Sequence, residues 1–342
     1  MAYRADLDAH ARPPENLRIL FKKIQKASPE DLALDEAILD FENPSSVDLH
    51  ASPSNVGWDL DNLRQAIGHF LNNEALSSGP RPSIYEAKAL PGLLIYPGLL
   101  SSPVQAALLD KLLHRDLANP EHLTNVHLFH EMIYPEDTRA DAIDKTATLN
   151  SFFAMNSSTL LEPKDPAIHK PMSIAQMMRR KLRWMTLGGQ YDWTNKVYPD
   201  EEPPSFPVDI ADLLKAFFPT VDAQAAIVNL YTPGDTLSVH RDVSEECDRG
   251  LISVSIGCDA LFMVGNEDDS SVATIRLRSG DAILMTGSSR YAWHAVPKVL
   301  GATCPASLSE WPHTPVEPAY QQWRGWMQTK RINLNVRQMK QV

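Results

Sequence analysis

Between residues 225 and 285 the chain breaks into short strand-like runs, each closed by a turn signal. Ile227–Tyr231 meets Pro233-Gly234 and leads into Thr236–His240. Leu251–Gly257 sets Ile252, Val254 and Ile256 against Ser253 and Ser255. Ala273–Arg278 is closed by Ser279-Gly280-Asp281 and answered by Ala282–Met285. A last run, Arg331-Ile-Asn-Leu-Asn-Val-Arg337, alternates polar and apolar residues throughout. Successive side chains on a strand point to opposite faces, so such runs are stable when a sheet buries one face. Many short strands with turns between them predict a sandwich or barrel, here a double-stranded β-helix, or jelly roll.

Helix signals flank these runs. Leu17–Lys26 reads as one amphipathic helix. Ser101 and Pro103 supply an N-cap and a first-turn proline ahead of Val104, Leu108 and Leu112, which predicts a core-facing helix over 103–114. Further helices are expected near 171–183 and over 209–218, where Ile210, Leu213, Leu214 and Phe217 share a face. The predicted class is α+β, a jelly-roll core with flanking helices. Residues 1–85 read as an N-terminal extension, partly helical and loop-rich, with loops or linkers at Asn43-Pro44-Ser45-Ser46 and at residues 77–83 (SSGPRPS). Residues 86–340 read as one domain, with 301–322 inserted before the last strand.

Composition narrows the function classes. A net charge of −11 argues against a broad electrostatic grip on nucleic acid, while leaving room for a local basic groove. Cys247, Cys258 and Cys304 show no C-x-x-C spacing and are odd in number, which fits free thiols in a reducing compartment. No apolar run approaches the roughly 18 residues a membrane span requires, so no membrane partner is expected. Asp6 and Asp8 and the lack of an early apolar stretch argue against a secretory or mitochondrial leader. Cytoplasm and/or nucleus is the expected location.

The chemistry-bearing residues lie on the strand-like runs. His240-Arg241-Asp242 is followed, 52 residues after the aspartate, by His294. On a strand His240 and Asp242 share a side, and a distal His can complete the two-histidine, one-carboxylate set that holds Fe(II) on one face. An H-x-D tripeptide alone is a weak signal; with a distal His and an arginine-bearing strand in that order it is strong. Arg331, Asn333, Asn335 and Arg337 fall on one stripe. That stripe is either the wet face of a surface strand or the lining of a pocket, where the arginines need anionic partners such as a dicarboxylate. Asn229 and Tyr231 repeat the device on an earlier strand, although such residues are also common at a core rim. Arg290, four residues before His294, is placed to reach the mouth of the site. Arg179-Arg-Lys-Leu-Arg183, followed by Trp184, Tyr191 and Trp193, is the dense basic cluster, readable as a phosphate and base platform or as a solvated helix end.

These stretches resemble the AlkB family of Fe(II)- and 2-oxoglutarate-dependent dioxygenases. The likeness is carried by Asn229-Leu-Tyr-Thr-Pro-Gly-Asp-Thr-Leu-Ser-Val-His-Arg-Asp242, Leu251–Gly257, Ser279–Met285, Ser289–His294 and Arg331–Gln338, and covers about 85–340. The run Leu182–Trp193 and the insertion before the last strand are similar to the eukaryotic AlkB homologue one branch. The resemblance implies His240, Asp242 and His294 as iron ligands, and Arg331 with Tyr231 as the clamp on 2-oxoglutarate. It implies Asn229, Asn333, Asn335 and Arg337 as the rest of the cosubstrate pocket. It also implies O2 as oxidant and a substrate lid at about 171–200, with the iron and cosubstrate core at 225–338. Gly189 stands where bacterial members place a stacking tryptophan and Ser244 where they carry an acid. Tyr191, Trp193, Ser244 and Arg290 are therefore the expected substrate contacts.

The implied reaction is oxidative demethylation of N-methylated bases in tRNA or DNA, on an unpaired or flipped base, releasing formaldehyde, succinate and CO2. Two alternatives remain open at this point: a protein hydroxylase or demethylase built on the same iron centre, and a nucleic-acid-binding module without turnover.

Overall fold

The computed structural model describes residues 7–54, 57–73, 83–135, 151–193, 195–199, 201–266, 268, 270–312 and 318–341. The linker expected at 77–83 lies outside the described residues apart from Ser83, as do residues 313–317 of the insertion. Helices fall at Glu15–Lys26 (α1), Pro29–Leu34 (α2), Pro44–His50 (α3), Leu60–Leu71 (α4), Ser102–Asp110 (α5), Ile174–Gln176 (α6) and Val208–Phe217 (α7). Strands run at Ile38–Leu39 (β1), Ala51–Pro53 (β2), Tyr85–Ala87 (β3), Leu93–Tyr96 (β4), Leu160–Leu161 (β5), Met172–Ser173 (β6), Trp184–Gly188 (β7) and Ala225–Tyr231 (β8). They continue at Leu237–His240 (β9), Leu251–Gly257 (β10), Ala260–Gly265 (β11), Val272–Leu277 (β12), Ala282–Met285 (β13), Trp293–Val299 (β14) and Arg331–Arg337 (β15).

Two sheets make the jelly roll. The larger has the order β2-β3-β4-β13-β10-β15-β8-β7, and the smaller β1-β12-β11-β14-β9. Period-two alternation sorts the large sheet's residues between two cores. Val228, Leu230, Val254, Ile256, Leu284, Ile332 and Leu334 face outward onto α5, α7 and the loops around Phe152 and Phe153. Leu93, Ile95, Tyr231, Leu251, Ile283 and Met285 face inward onto Phe262, Val264, Ile275 and Val296 of the small sheet. Trimming a fully buried leucine such as Leu334 to Ala in such a layer costs about 2–5 kcal/mol.

The small sheet's outer face is roofed by α1, whose Leu17 and Ile24 pack with Val239, Leu261, Met263 and Trp293. Glu15 at its start and Lys23 and Lys26 at its end suit the helix dipole. The first 85 residues are also sewn into both sheets. β1 pairs in parallel with β12, and β2 pairs with β3. Arg278 reaches back from the end of β12 to Asp40 at 2.6 Å and Glu42 at 2.9 Å. Asn43-Pro44-Ser45-Ser46, expected as a loop, instead opens α3, because proline at the first helical position sacrifices no intrahelical hydrogen bond. The helix expected over 103–114 continues past α5 as a wider π-type coil over Lys111–Asp116, and the one expected near 171–183 is α6 followed by another such turn, Met177–Lys181.

Candidate metal centre and anion pocket

Strand register brings the three expected ligands together. His240 closes β9 and stands opposite His294 on β14 in the antiparallel ladder, while Asp242 follows two residues beyond. One donor atom from each lies within 4.8 Å of the other two. The His240 and His294 Nε2 atoms are 3.9 and 3.8 Å from the Asp242 carboxylate oxygens. Each imidazole is turned by its far nitrogen: Nδ1 of His240 donates to Ser238 O at 2.8 Å, and Nδ1 of His294 donates to Ala292 O at 3.2 Å. With Nδ1 protonated, both Nε2 atoms present a lone pair to the shared space. Burial, with His240 alongside, pushes His294 down to about 4, so its ring is neutral at ordinary pH. Burial opposes ionisation of Asp242, but Arg337 and the two histidines outweigh it and hold the carboxyl well below its usual range. Two imidazoles and one carboxylate, with the buried Nε2 of His294 lacking any hydrogen-bond partner, fit a divalent cation.

Behind the ligands lies a network the sequence did not announce. Arg337 donates to Asp242 Oδ2 at 2.6 Å and to the Tyr198 hydroxyl at 3.1 Å, and its Nε is 3.2 Å from Glu245 Oε1. Arg290 donates to Glu245 Oε2 at 2.8 Å, to Asp242 O at 3.0 Å and to Arg249 O at 2.7 Å. This corrects the expectation that Arg290 reaches the mouth as a substrate contact. Only 2% exposed, with Nε and both Nη atoms bonded to protein, it braces the segment that carries Asp242. Glu245 and Tyr198 were missed. Two buried arginines demand a buried carboxylate, and Glu245, three residues after Asp242, is the acid in reach.

At the other end of β15 the bonding is incomplete. Arg331 is 1% exposed, and its guanidinium donates once, from Nη2 to Ser255 Oγ at 3.0 Å, while Nε and Nη1 have no partner. Its carbon lies 5.4 Å from the ring centroid of Tyr231, the residue opposite it on β8, whose hydroxyl is also buried without a partner. Burial pushes that phenol up to about 12, so it stays a donor. Asn335 leaves a buried Oδ1 unbonded, and Asn333 donates to Ser253 Oγ at 2.7 Å and Val254 O at 3.1 Å. Asn229, opposite Asn333 on β8, faces the same space. A buried cation beside an unsatisfied hydroxyl is costly unless an anion completes it, so a carboxylate fits here.

The expected substrate contacts other than Arg290 gather over the metal end. Tyr191 lies 4.9 Å from Trp193 and 5.2 Å from Tyr198, and Trp193 lies 5.0 Å from Trp184, all between ring centroids. The Tyr191 hydroxyl is 3.4 Å from Ser244 Oγ, and Trp193 is 39% exposed. Gly189 is closed to any ring, since a Cβ there would lie 2.3 Å from Met339 Sδ and 2.9 Å from Ala225 Cβ. Trp184 itself belongs to an edge strand of the large sheet, so residues 184–188 of the 171–200 segment are part of the sheet.

A jelly roll that holds two imidazoles and a carboxylate beside a buried guanidinium with unpartnered nitrogens is the architecture of a mononuclear iron oxygenase. The model of the 2OG-Fe(II) oxygenase superfamily matches residues 125–337. The chain is 46% identical over 353 residues to the N6-methyladenosine RNA demethylase ALKB1 of Pyricularia oryzae, covering 98% of both chains. It is 54% identical over 230 residues to the N6-methyladenosine RNA demethylase ALKBH of Cryphonectria parasitica, covering 63% of this chain and 99% of that one. To the tRNA demethylase abh1 of Schizosaccharomyces pombe it is 36% identical, covering 76% and 83%. The chain belongs to the 2OG-Fe(II) oxygenase superfamily and, within it, to the AlkB family. Fe(II), 2-oxoglutarate and O2 are accordingly its metal and cosubstrates. No helix among the described residues is long and apolar enough to cross a membrane.

Proposed function

We propose that this dioxygenase removes N-methyl groups from bases in RNA, with N6-methyladenine the leading target, releasing formaldehyde, succinate and CO2. The observation that carries the reading is the pairing of a three-ligand cluster, buried at His294, with a buried guanidinium that has no ion-pair partner among the described residues. The names of the relatives supply the substrate class, RNA demethylases in two cases and a tRNA demethylase in a third.

In this reading His240, Asp242 and His294 would hold Fe(II), which supplies, when bound, the oxidising chemistry driven by O2 and 2-oxoglutarate decarboxylation. The chain's own work is positioning. Arg331 and Tyr231 receive the far carboxylate of 2-oxoglutarate, and Asn229, Asn333 and Asn335 border the rest. Arg337, Glu245 and Arg290 fix the Asp242 carboxylate, so the ligand set is ordered before metal arrives. Tyr191 and Trp193 offer ring faces to an unpaired or flipped base, which is the form of the base that a buried centre can reach. Closing that aromatic lid over the base excludes water. Once the methyl group is hydroxylated, the N–C bond of the hemiaminal breaks: the carbon leaves as formaldehyde, and the nitrogen keeps the bonding pair and takes up the hydroxyl proton.

The test is an incubation with Fe(II), 2-oxoglutarate and a single-stranded RNA carrying one N6-methyladenosine, with formaldehyde, succinate and unmodified adenosine all measured. Wild type yields the three in equal amounts, and Asp242→Ala loses at least about a thousandfold of the rate, about 4 kcal/mol. Succinate release driven by a peptide and by no oligonucleotide would overturn the nucleic-acid reading.

A further inference from the structure

Far from the metal, one turn presents three cations to solvent and is rigidly held while doing so. Arg179, Arg180 and Lys181 lie on the turn Met177–Lys181; all three are exposed, and none forms an ion pair among the described residues. The turn is pinned from beneath. Buried Lys330 donates to Arg179 O at 2.6 Å, Trp326 to Met178 O at 3.0 Å and Asn125 to Lys181 O at 2.8 Å. On one side it borders a hollow of about 280 Å³ that also includes Arg324, Lys330 and Trp323. On the other it borders one of about 390 Å³ that includes Lys170, His130, His169 and Phe129. Among the described residues no carboxylate lines either hollow, in a chain whose net charge is −11. Arg324 alone in this set is paired, through Nε with Glu310.

Aromatic surface accompanies the charge. Phe129 is 47% exposed and lies 4.7 Å from the His169 ring. From the turn, the chain passes through Arg183 to Trp184, and ring contacts continue through Trp193 and Tyr191 to Tyr198, the hydroxyl beside Arg337. Lys330 precedes Arg331 at the start of β15, whereas Arg337, at its end, touches Asp242. Arg331 and Arg337 are six residues apart, about 20 Å of strand, and the basic turn and the metal cluster touch opposite ends of β15.

We propose that this strip, Arg179, Arg180 and Lys181 with Lys170 and Arg324 at its margins, binds phosphates of the RNA substrate away from the methylated base. The inference rests on the nucleic-acid reading above and deepens it. A pre-held row of cations beside two hollows with no carboxylate in their lining is suited to phosphate binding, with the nearest acids engaged elsewhere, Asp235 by Arg183 and Glu310 by Arg324, and the ring series leads a strand from there to the metal. A short oligonucleotide touches only the metal end; a folded RNA of stem-loop size touches both.

The experiment compares the full chain with Arg179→Ser/Arg180→Ser/Lys181→Ser on two substrates, a methylated trinucleotide and a methylated stem-loop the size of a tRNA arm or larger. Stem-loop affinity is measured by anisotropy across a salt series. The triple variant is expected to bind the stem-loop at least about tenfold more weakly, with the slope of log affinity against log salt reduced by about two. Its turnover of the trinucleotide is expected to match wild type, which also shows that it folds. Wild-type affinity and slope on the stem-loop would overturn the strip, as would an equal loss on the trinucleotide. Unchanged RNA binding with lost affinity for polyglutamate would assign the surface to an acidic protein instead. If wild type itself demethylates neither RNA, the underlying reading fails first and takes the strip with it.

Discussion

Arg331 and Arg337 stand on the same strand, on the same face, and both are at most 2% exposed, yet they are opposites. Arg337 meets Asp242, Glu245 and Tyr198, and the two acids raise its already high pKa despite burial. Arg331 has one hydroxyl partner and two unbonded nitrogens, and burial pushes its pKa down. A buried charge matched by the protein's own acids is part of the framework. One left unmatched is half of an interaction whose other half comes from solution. Sequence alternation places both arginines on one stripe but cannot distinguish them, because the partners come from segments remote in the chain.

The contrast can be broken by substitution. Arg337→Met leaves Asp242 and Glu245 buried without their shared cation, and unfolding of the metal-free protein in urea is expected to show a loss of about 3–5 kcal/mol. Arg331→Met removes a charge that has no ion-pair partner among the described residues, so the same measurement is expected to show no loss, or a small gain. Equal destabilisation by the two substitutions would erase the distinction.

Lys330, next to Arg331, sharpens the same point through pH. Burial lowers its ammonium from 10.5 to about 8. Between those values the unfolded chain binds a proton that the folded chain has lost, so stability rises with pH across the window. The contribution is complete above 10.5 and disappears as pH falls through 8, a span of about 3 kcal/mol. Lys330→Met is expected to flatten that rise by up to this amount, read as the difference in unfolding free energy between pH 8 and pH 10 for variant and wild type.

Much of the site could be read from spacing, because it is written in period two. His240 and Asp242, and the stripe from Arg331 to Arg337, needed only alternation and the ligand chemistry. Leu251–Gly257 alternates as expected, but its serines turn inward: Ser255 meets Arg331 and Ser253 meets Asn333, while the apolar face goes to the helical layer. Ala260–Gly265, buried at every position, shows no alternation to read. Trp293–Val299 is likewise buried almost throughout and carries Pro297, a residue that weakens a strand signal. The parallel pairing of Ile38–Leu39 with β12 is a contact across more than two hundred residues, and no local pattern encodes it. Arg290 was misplaced for a related reason. Its position four residues before His294 says nothing about Glu245, which draws the guanidinium inward.

The most direct test is an anaerobic titration of 2-oxoglutarate into Fe(II)-loaded wild type and Arg331→Met, with bound iron quantified in the same samples. The structure predicts that the variant retains iron like wild type while its Kd for 2-oxoglutarate rises about a hundredfold, close to 3 kcal/mol for a lost charge pair. Wild-type affinity for 2-oxoglutarate in that variant would contradict the assignment of the unmatched guanidinium to the cosubstrate.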